Sequence, residues 1–314
     1  MKKIVVTGAT SFIGVHLIQK LLDENCYIYA VIRPNSANKE RLPDNSLIEV
    51  VELDLNDIGR LPDIIHEVVD VFYHLAWEGV RAASRNDAEL QQKNYTAAIE
   101  AVKSAVILKS NIFIGSGSQA EYGKISGKVD EESVCNPVTE YGRAKYKACL
   151  ETGKIAKKNG MRFIWARIFS VYGEYDFPGT LVMDSLYKMS RNIAIDLTDC
   201  SQVWDFIYVV DVADVLVKFA NVNCADGIYN IASGRPRVLK KFVEDMKSIT
   251  KSESELNFGA IPYSVEGPVS LEPSVDKLKK ELEWEISTAF TEGIKKMVFG
   301  EDTDEKNKYI NTYV

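Results

Sequence analysis

Through the first half of the chain, short apolar runs alternate with stretches whose apolar positions recur at helical spacing. Lys3–Thr7 is a β-rich run, and Phe12–Leu22 repeats Ile13, Leu17 and Leu21 on one helical face. Further strands are predicted over Tyr27–Ile32, Leu47–Leu53, Val69–Leu75, Ile112–Gly115 and Arg162–Ile168, with helices over Ala88–Ala105 and Tyr141–Lys158. Strands that are nearly all apolar and alternate with helices predict a parallel sheet covered on both faces.

After Ile168 the rhythm changes. Tyr172–Thr180 is turn-rich, Leu181–Met189 is helical, and Ile193–Asp199 has strand character. Further helices are expected over Leu239–Ile249 and Thr288–Phe299, separated by a proline-punctuated loop, Ile261–Pro273, and Glu301–Val314 reads as a loose polar tail. These segments predict a dinucleotide-binding domain over 1–170, to which 205–232 returns. A smaller C-terminal substrate lobe over 171–314, mainly 171–204 and 233–300, completes the expected organisation.

The formal charge of −7 argues against a broad nucleic-acid surface, so any phosphate is expected at a local site. The five cysteines show no metal-ligand spacing, and His16, His66 and His74 are the only histidines. No metal site is expected, and free cysteines suit a reducing, cytoplasmic setting. No run of about 18 apolar residues occurs, so no membrane span is expected. The N-terminus is broken by Thr7, Gly8, Thr10 and Ser11 and lacks a small-residue cleavage site, unlike a secretory signal.

The first strand runs into Thr7-Gly8-Ala9-Thr10-Ser11-Phe12-Ile13-Gly14 and then a helix. Gly8 permits a tight turn and Gly14 a close helix–sheet approach, so backbone N–H groups from Gly8 to Gly14 are expected to face a pyrophosphate. A glycine loop placed between the first strand and first helix of a βαβ unit points to dinucleotide binding. The second strand ends in Arg33-Pro34-Asn35-Ser36, with no carboxylate to take a ribose diol. Arg33 and Ser36 suit a 2′-phosphate instead, which favours NADP over NAD.

Tyr141 and Lys145 lie one turn apart on a predicted helix. They follow the glycine loop, Asp54-Leu55, His74-Leu75-Ala76, Asn94 and Ser116-Gly117-Ser118-Gln119-Ala120-Glu121-Tyr122-Gly123, and precede Trp204-Asp205-Phe206-Ile207-Tyr208 and Tyr229-Asn230-Ile231-Ala232. Over roughly residues 1–300 this order resembles the extended short-chain dehydrogenase/reductases, the NAD-dependent epimerase/dehydratase family that modifies nucleotide sugars. The resemblance implies a Rossmann doubly wound sheet. It gives Tyr141 the acid/base role, Lys145 that of ribose anchor, and Ser118 that of hydrogen-bond partner to the substrate oxygen. Asn94 corresponds to a residue that orients a water or backbone group, Asp54 and Leu55 to the pair facing adenine, and Leu75 and Ala76 to residues beside the cofactor. A free phenol titrates near 10, so work near pH 7 asks for a fall of about 3 units, roughly 4 kcal/mol. The Lys145 ammonium and a nicotinamide cation favour that direction. Relatives pack the helices carrying Asn94 and Tyr141 into an intersubunit bundle, which implies a homodimer, with Ala97, Ala98, Ala101, Ala148 and Cys149 suited to close packing.

The departures from the family pattern narrow the chemistry. Ser11 replaces the middle glycine of the loop. Nucleotide-sugar dehydratases are similar to Thr-Asp-Glu where this chain has Ser118-Gln119-Ala120, and Gln119 and Ala120 supply no elimination acid/base pair. Trp204 stands where an arginine is usual, and Val265-Glu266-Gly267-Pro268 occupies the loop where epimerases hold a diphosphate-binding arginine. Arg235 and Arg237 are alternative phosphate partners. The expectation is NADPH reduction of a nucleotide-linked 4-keto-6-deoxyhexose. The alternative is a nucleotide-sugar 4-epimerase with tightly held NAD, and a weaker one is a non-catalytic dinucleotide sensor.

Overall fold

The computed structural model describes residues 1–124, 127–263 and 269–300. In chain order come β1 (Lys3–Thr7), α1 (Phe12–Asp23), β2 (Tyr27–Ile32), β3 (Ile48–Glu52), α2 (Leu61–Ile64), β4 (Val71–His74), α3 (Ala88–Ile107) and β5 (Ile112–Ser118). Then follow β6 (Gly127–Val129), α4 (Glu140–Lys158), β7 (Arg162–Ile168), β8 (Ser170–Tyr172), α5 (Leu181–Met189), β9 (Ile195–Leu197), β10 (Val203–Trp204) and β11 (Phe206–Tyr208). The remainder is α6 (Val209–Asn221), β12 (Gly227–Ile231), β13 (Arg237–Val238), α7 (Leu239–Thr250), β14 (Leu256–Phe258), β15 (Leu271–Pro273), α8 (Asp276–Leu282) and α9 (Phe290–Phe299).

Seven strands form one sheet in the order β3-β2-β1-β4-β5-β7-β12. All neighbours are parallel. The order reverses between β1 and β4, which opens a crevice at their C-terminal ends. Alternation along each strand sorts side chains to two faces. Ile4 and Val6 join α1 and α6 residues such as Ile18, Leu21, Val212 and Leu216 on one side. Val5, Phe72, Phe113, Phe163 and Trp165 pack beneath α3 and α4 on the other. On that second face Phe72, Phe113, Phe163 and Trp165 stack in sequence across the strands, with ring centroids 5.7, 6.3 and 6.2 Å apart. A third core joins α5, α7 and α9 through Leu186, Phe242, Met246 and Ile294.

β5 runs three residues beyond its predicted end, because Ser116, Gly117 and Ser118 pair with Ala166, Arg167 and Ile168 of β7. Serine and glycine have weak strand propensity, so here the neighbouring strand decides. Three short parallel pairs were not foreseen: β11 beside β8, β14 beside β9, of which only β9 had strand character in the sequence, and β15, inside the proline-punctuated segment, beside β6. The small residues Ala97, Ala98, Ala101, Ala148 and Cys149 are all buried within this chain's own core, where they bring α3 and α4 together. They are therefore not a free face for a second subunit. Val265-Glu266-Gly267-Pro268 and Glu301–Val314 lie outside the described residues. Among the described residues no helix is long and apolar enough to cross a membrane, and no group of His, Cys, Asp and Glu is placed to hold a metal.

Candidate active site

Ser11 is the N-cap of α1, its Oγ accepting from the Gly14 N–H at 3.1 Å. The hydroxyl that replaces the family's middle glycine thus fixes the helix start, and its own O–H stays available to donate. Gly8 has φ +73°, and a Cβ there would lie 2.8 Å from the Ala76 nitrogen. A Cβ at Gly14 would collide with the Gly8 carbonyl. Gly8 therefore holds the β1–α1 turn against the segment that follows β4, and Gly14 holds the start of α1 against the turn. Beside that turn lies a cavity of about 480 Å³.

Of the residues expected at the cofactor, Gly8, Thr10, Ser11, Phe12, Arg33, Ser36, Leu55, Leu75 and Ala76 line this cavity. Ile13 turns inward to the core, and Gly14 is buried in α1. Asp54 caps the short turn after β3, its carboxylate accepting from Asn56 N–H at 2.9 Å, while its neighbour Leu55 faces the cavity. Arg33 is exposed and pairs with Glu78 at 3.3 Å. Arg41, Trp77, Glu78 and Phe177 also line the cavity and were missed from the sequence. A second arginine shortly after Arg33 was the available signal, but the β2–β3 crossover has no periodicity to place it. The segment carrying Phe177 reaches the cavity from beyond β8. It is held there by Arg81, whose guanidinium lies 3.6 Å over the Phe177 ring and donates to the Pro178 carbonyl.

Tyr141 faces Ser118, and Lys145 lies one turn along α4 with its amine on Ser116. Thr139 caps α4 by accepting from Gly142 N–H at 3.1 Å, which starts the helix two residues before Tyr141. Gly142 lets α4 press on the Ser118–Glu121 turn: a Cβ there would collide with the Ala120 carbonyl and come 3.0 Å from Pro137. The buried Tyr141 side chain faces Ser118, whose hydroxyl favours the ionised phenol by hydrogen bonding. Burial raises the phenol above its ordinary value; the Ser118 bond and the Arg85 guanidinium, 4.8 Å over the ring, oppose that, and Glu121 adds to it. This is the reverse of the lowering anticipated from Lys145, because desolvation dominates and the Lys145 amine turns to the Ser116 carbonyl instead. Gly142→Ala is expected to cost about 1–3 kcal/mol by overpacking. It should lower turnover as well as the melting temperature, since the same push separates Tyr141 from Ser118. Unchanged turnover in a folded variant would refute the spacing argument.

Lys145 is almost fully buried. Its Nζ donates to the Ser116 carbonyl at 2.6 Å and lies 3.8 Å over the Trp77 ring, so Trp77 stands between the lysine and the cavity. Burial lowers the amine to about 7, with Glu121 opposing. From about pH 7 to 10.5 the unfolded chain keeps a proton that the folded chain has lost, so this group makes stability rise with pH across that window. Lys145→Met should remove that slope. Its melting temperature relative to the native chain is expected to fall steadily from pH 7 to 10, and a constant difference would contradict the assignment.

Asn94 is buried in α3, and both ends of its amide grip the Glu78 backbone: Oδ1 accepts from N–H and Nδ2 donates to C=O, each at 2.9 Å. It orients a backbone segment of the cavity wall. His74 is buried against Thr7 at 2.9 Å and held neutral, its pKa lowered to about 3 by burial and by Lys145.

A family model described as the NAD dependent epimerase/dehydratase family matches residues 4–232. The chain belongs to that family. Like its relatives, this epimerase/dehydratase-family chain is an enzyme of the nucleotide-sugar-modifying class. It is 30% identical to CDP-abequose synthase of Salmonella muenchen, over 95% of this chain and 97% of that protein. It is 22% identical to dTDP-6-deoxy-L-talose 4-dehydrogenase (NAD(+)) of Aggregatibacter actinomycetemcomitans, over 77% and 88% of the two chains. The crystal structure of UDP-glucose 4-epimerase from Thermotoga maritima, solved with UDP-glucose, has the same fold, with a TM-score of 0.85 at 23% identity over 95% and 98% of the two chains.

Proposed function

We propose that this chain is an NADPH-dependent reductase of a nucleotide-linked 4-keto-6-deoxyhexose. The carrying observation is the far end of the cavity: Arg33 and Arg41 both line it, and the one carboxylate among the described lining residues, Glu78, is paired to Arg33. Two guanidinium groups suit a 2′-phosphate better than a ribose diol. Two relatives support the substrate class, one named for a nucleotide-linked sugar product and one for oxidoreduction at C4 of a nucleotide-linked 6-deoxy sugar. Ala120, packed against Gly142, supplies no elimination carboxyl, which argues against a dehydratase.

Bound in the cavity, a nicotinamide dinucleotide supplies the hydride for the keto carbon. Ser118 spends one oxygen lone pair on the Ala120 N–H at 3.2 Å, and its O–H turns from Tyr141 to hold the substrate oxygen. Tyr141 gives its phenolic proton to that oxygen as the alkoxide develops. Lys145 would hold ribose hydroxyls once Trp77, which stands between it and the cavity, gave way. The segments 171–204 and 233–300 form the substrate side in this reading, with the dinucleotide on 1–170 and 205–232.

The 4-epimerase with retained NAD is the second reading. Glu78 favours it, because a carboxylate beside Arg33 also accepts from a ribose diol. To test the first reading, purified protein is assayed for bound cofactor, and NADPH consumption is followed with nucleotide 4-keto-6-deoxy sugars. An empty site with NADPH-dependent turnover is expected; co-purified NAD with interconversion of 4-epimers would overturn it. The enzyme is further proposed to work in a reducing, cytoplasmic setting, as its five free cysteines suit. We expect a homodimer through the outer faces of α3 and α4, where Ile107 and Leu150 are exposed. Light scattering should give twice the chain mass at micromolar concentration, and a monomer would exclude it.

A further inference from the structure

Behind Ser118 lies an ion pair that the proposed chemistry does not use. Glu121 and Arg167 are both sealed from solvent, and Arg167 Nε donates to Glu121 Oε2 at 2.8 Å. The other carboxylate oxygen accepts from the Ser118 backbone N–H at 2.8 Å and from Trp165 Nε1 at 2.9 Å. Ser118 and Glu121 thereby form a reciprocal capping box around the short turn after β5. Arg167 lies 4.5 Å over the Tyr122 ring, and its Nη1 has no hydrogen-bond partner. Tyr122 in turn donates to Asn230 of β12 at 2.6 Å, so the turn is tied to the two strands at the sheet edge.

A buried carboxylate paired with an arginine that keeps an orphaned N–H is a poor way to gain stability, because apolar side chains of similar volume usually serve as well or better. What it does supply is direction. An aliphatic residue at position 121 fills the same space but offers no acceptor to the Ser118 N–H at the last residue of β5.

We propose that Glu121, held by Arg167, is a positioning residue of the catalytic centre: it anchors the Ser118 backbone so that the Ser118 hydroxyl meets Tyr141. The proposal rests on the reading of Ser118 and Tyr141 as working groups, and it extends the site to β7 through Arg167. The carboxylate acts on Tyr141 in two opposing ways. Directly, its negative charge raises the phenol's proton affinity; through Ser118, it preserves a hydrogen bond that lowers it. The groups facing the Tyr141 side chain are Ser118 and Glu121 from the β5 turn, Arg85 from the segment before α3, and Trp77 from the segment after β4, with Lys145 one turn along α4.

Those opposing signs give the test. Tyrosine labelled with ¹³C at Cζ reports the Tyr141 titration by NMR, with Tyr141→Phe assigning the signal, so no substrate is needed. Two variants are compared with the native chain: Glu121→Gln, and the apolar pair Glu121→Val with Arg167→Leu, which leaves no charge stranded. Ser118→Ala supplies the size of the effect when the hydrogen bond is lost. Positioning predicts that the pair variant, which removes the acceptor for the Ser118 N–H, raises the Tyr141 midpoint in the direction of Ser118→Ala. Glu121→Gln, whose amide oxygen still accepts from that N–H, loses only the charge and lowers it. Positioning also predicts that turnover of the pair variant falls at least about tenfold with KM changed less than about threefold, within the range of a lost hydrogen bond that acts in the transition state. A lowered or unmoved midpoint in the folded pair variant would show Glu121 acting as a charge or a packing group and would overturn the proposal. Collapse of the pair variant to an unfolded chain would overturn it too, since the ion pair would then be structural. A raised midpoint in a protein that proves inactive with every 4-keto sugar would sink the substrate reading and leave Glu121's role standing.

Discussion

Replacing Tyr141 with phenylalanine is expected to lower turnover at least about 100-fold, the usual size of a general-acid contribution, with cofactor affinity and melting temperature almost unchanged. The phenol is buried and faces Ser118. Removing one oxygen leaves the ring's edge-to-face packing on Trp77, with centroids 6.3 Å apart, and the Arg85 guanidinium over the other contacts of the ring. The loss therefore falls on proton transfer. Burial also raises the phenol, so the acid form dominates near neutral pH, as donation to an alkoxide requires. Steady-state kinetics with NADPH, alongside cofactor titration, separates the two effects. A variant retaining near-native turnover would remove Tyr141 from the mechanism.

The second large effect concerns cofactor choice. Arg33→Ala should weaken NADPH binding roughly tenfold, and the double change with Arg41→Ala about 100-fold, with NADH affected little. Each exposed guanidinium is taken at about 1–1.5 kcal/mol, the lower end for a charge-assisted hydrogen bond after solvent screening. Glu78 sharpens the test, because it competes with a 2′-phosphate for Arg33 at 3.3 Å. Glu78→Gln should strengthen NADPH binding, and raised salt should narrow every difference. Fluorescence titration of both cofactors decides. If the native chain binds both equally, or the arginine variants lose both alike, the reductase reading gives way to the epimerase.

The sheet was largely legible because β1, β2 and β7 are apolar on both faces and bounded by polar turns, a pattern that survives without tertiary context. β5 was cut short since Ser116-Gly117-Ser118 carries no strand signal of its own, and only β7 alongside extends it. Ser118, Tyr141 and Lys145 could be named from their order along the chain, whereas their environment could not. The direction of the Tyr141 shift depends on burial, and the segment 173–178 reaches the cavity only through tertiary contacts. Likewise, Arg41 and Glu78 lie in irregular crossovers, where sequence spacing says nothing about which side chains share a cavity wall. The alanines of α3 and α4 suited both an inner and an outer face by spacing, and only the packed core showed that they point inward.

The parallel sheet also constrains how the chain acquires its structure. No two neighbouring strands are joined by a hairpin, and even the shortest pairing in sequence, Ile28 with Ile48, encloses a full crossover. β7 takes one partner from β5 and the other, β12, from residues translated long afterwards. The edge of β7 that carries Arg167 therefore stays open on the ribosome until Gly227–Ile231 has emerged, while Tyr141 and Lys145 are already made. Topology of this kind folds slowly, because loop closure precedes every rewarding contact. Chains halted between α6 and β12 would expose an unpaired apolar edge and become the principal substrate for chaperones during synthesis.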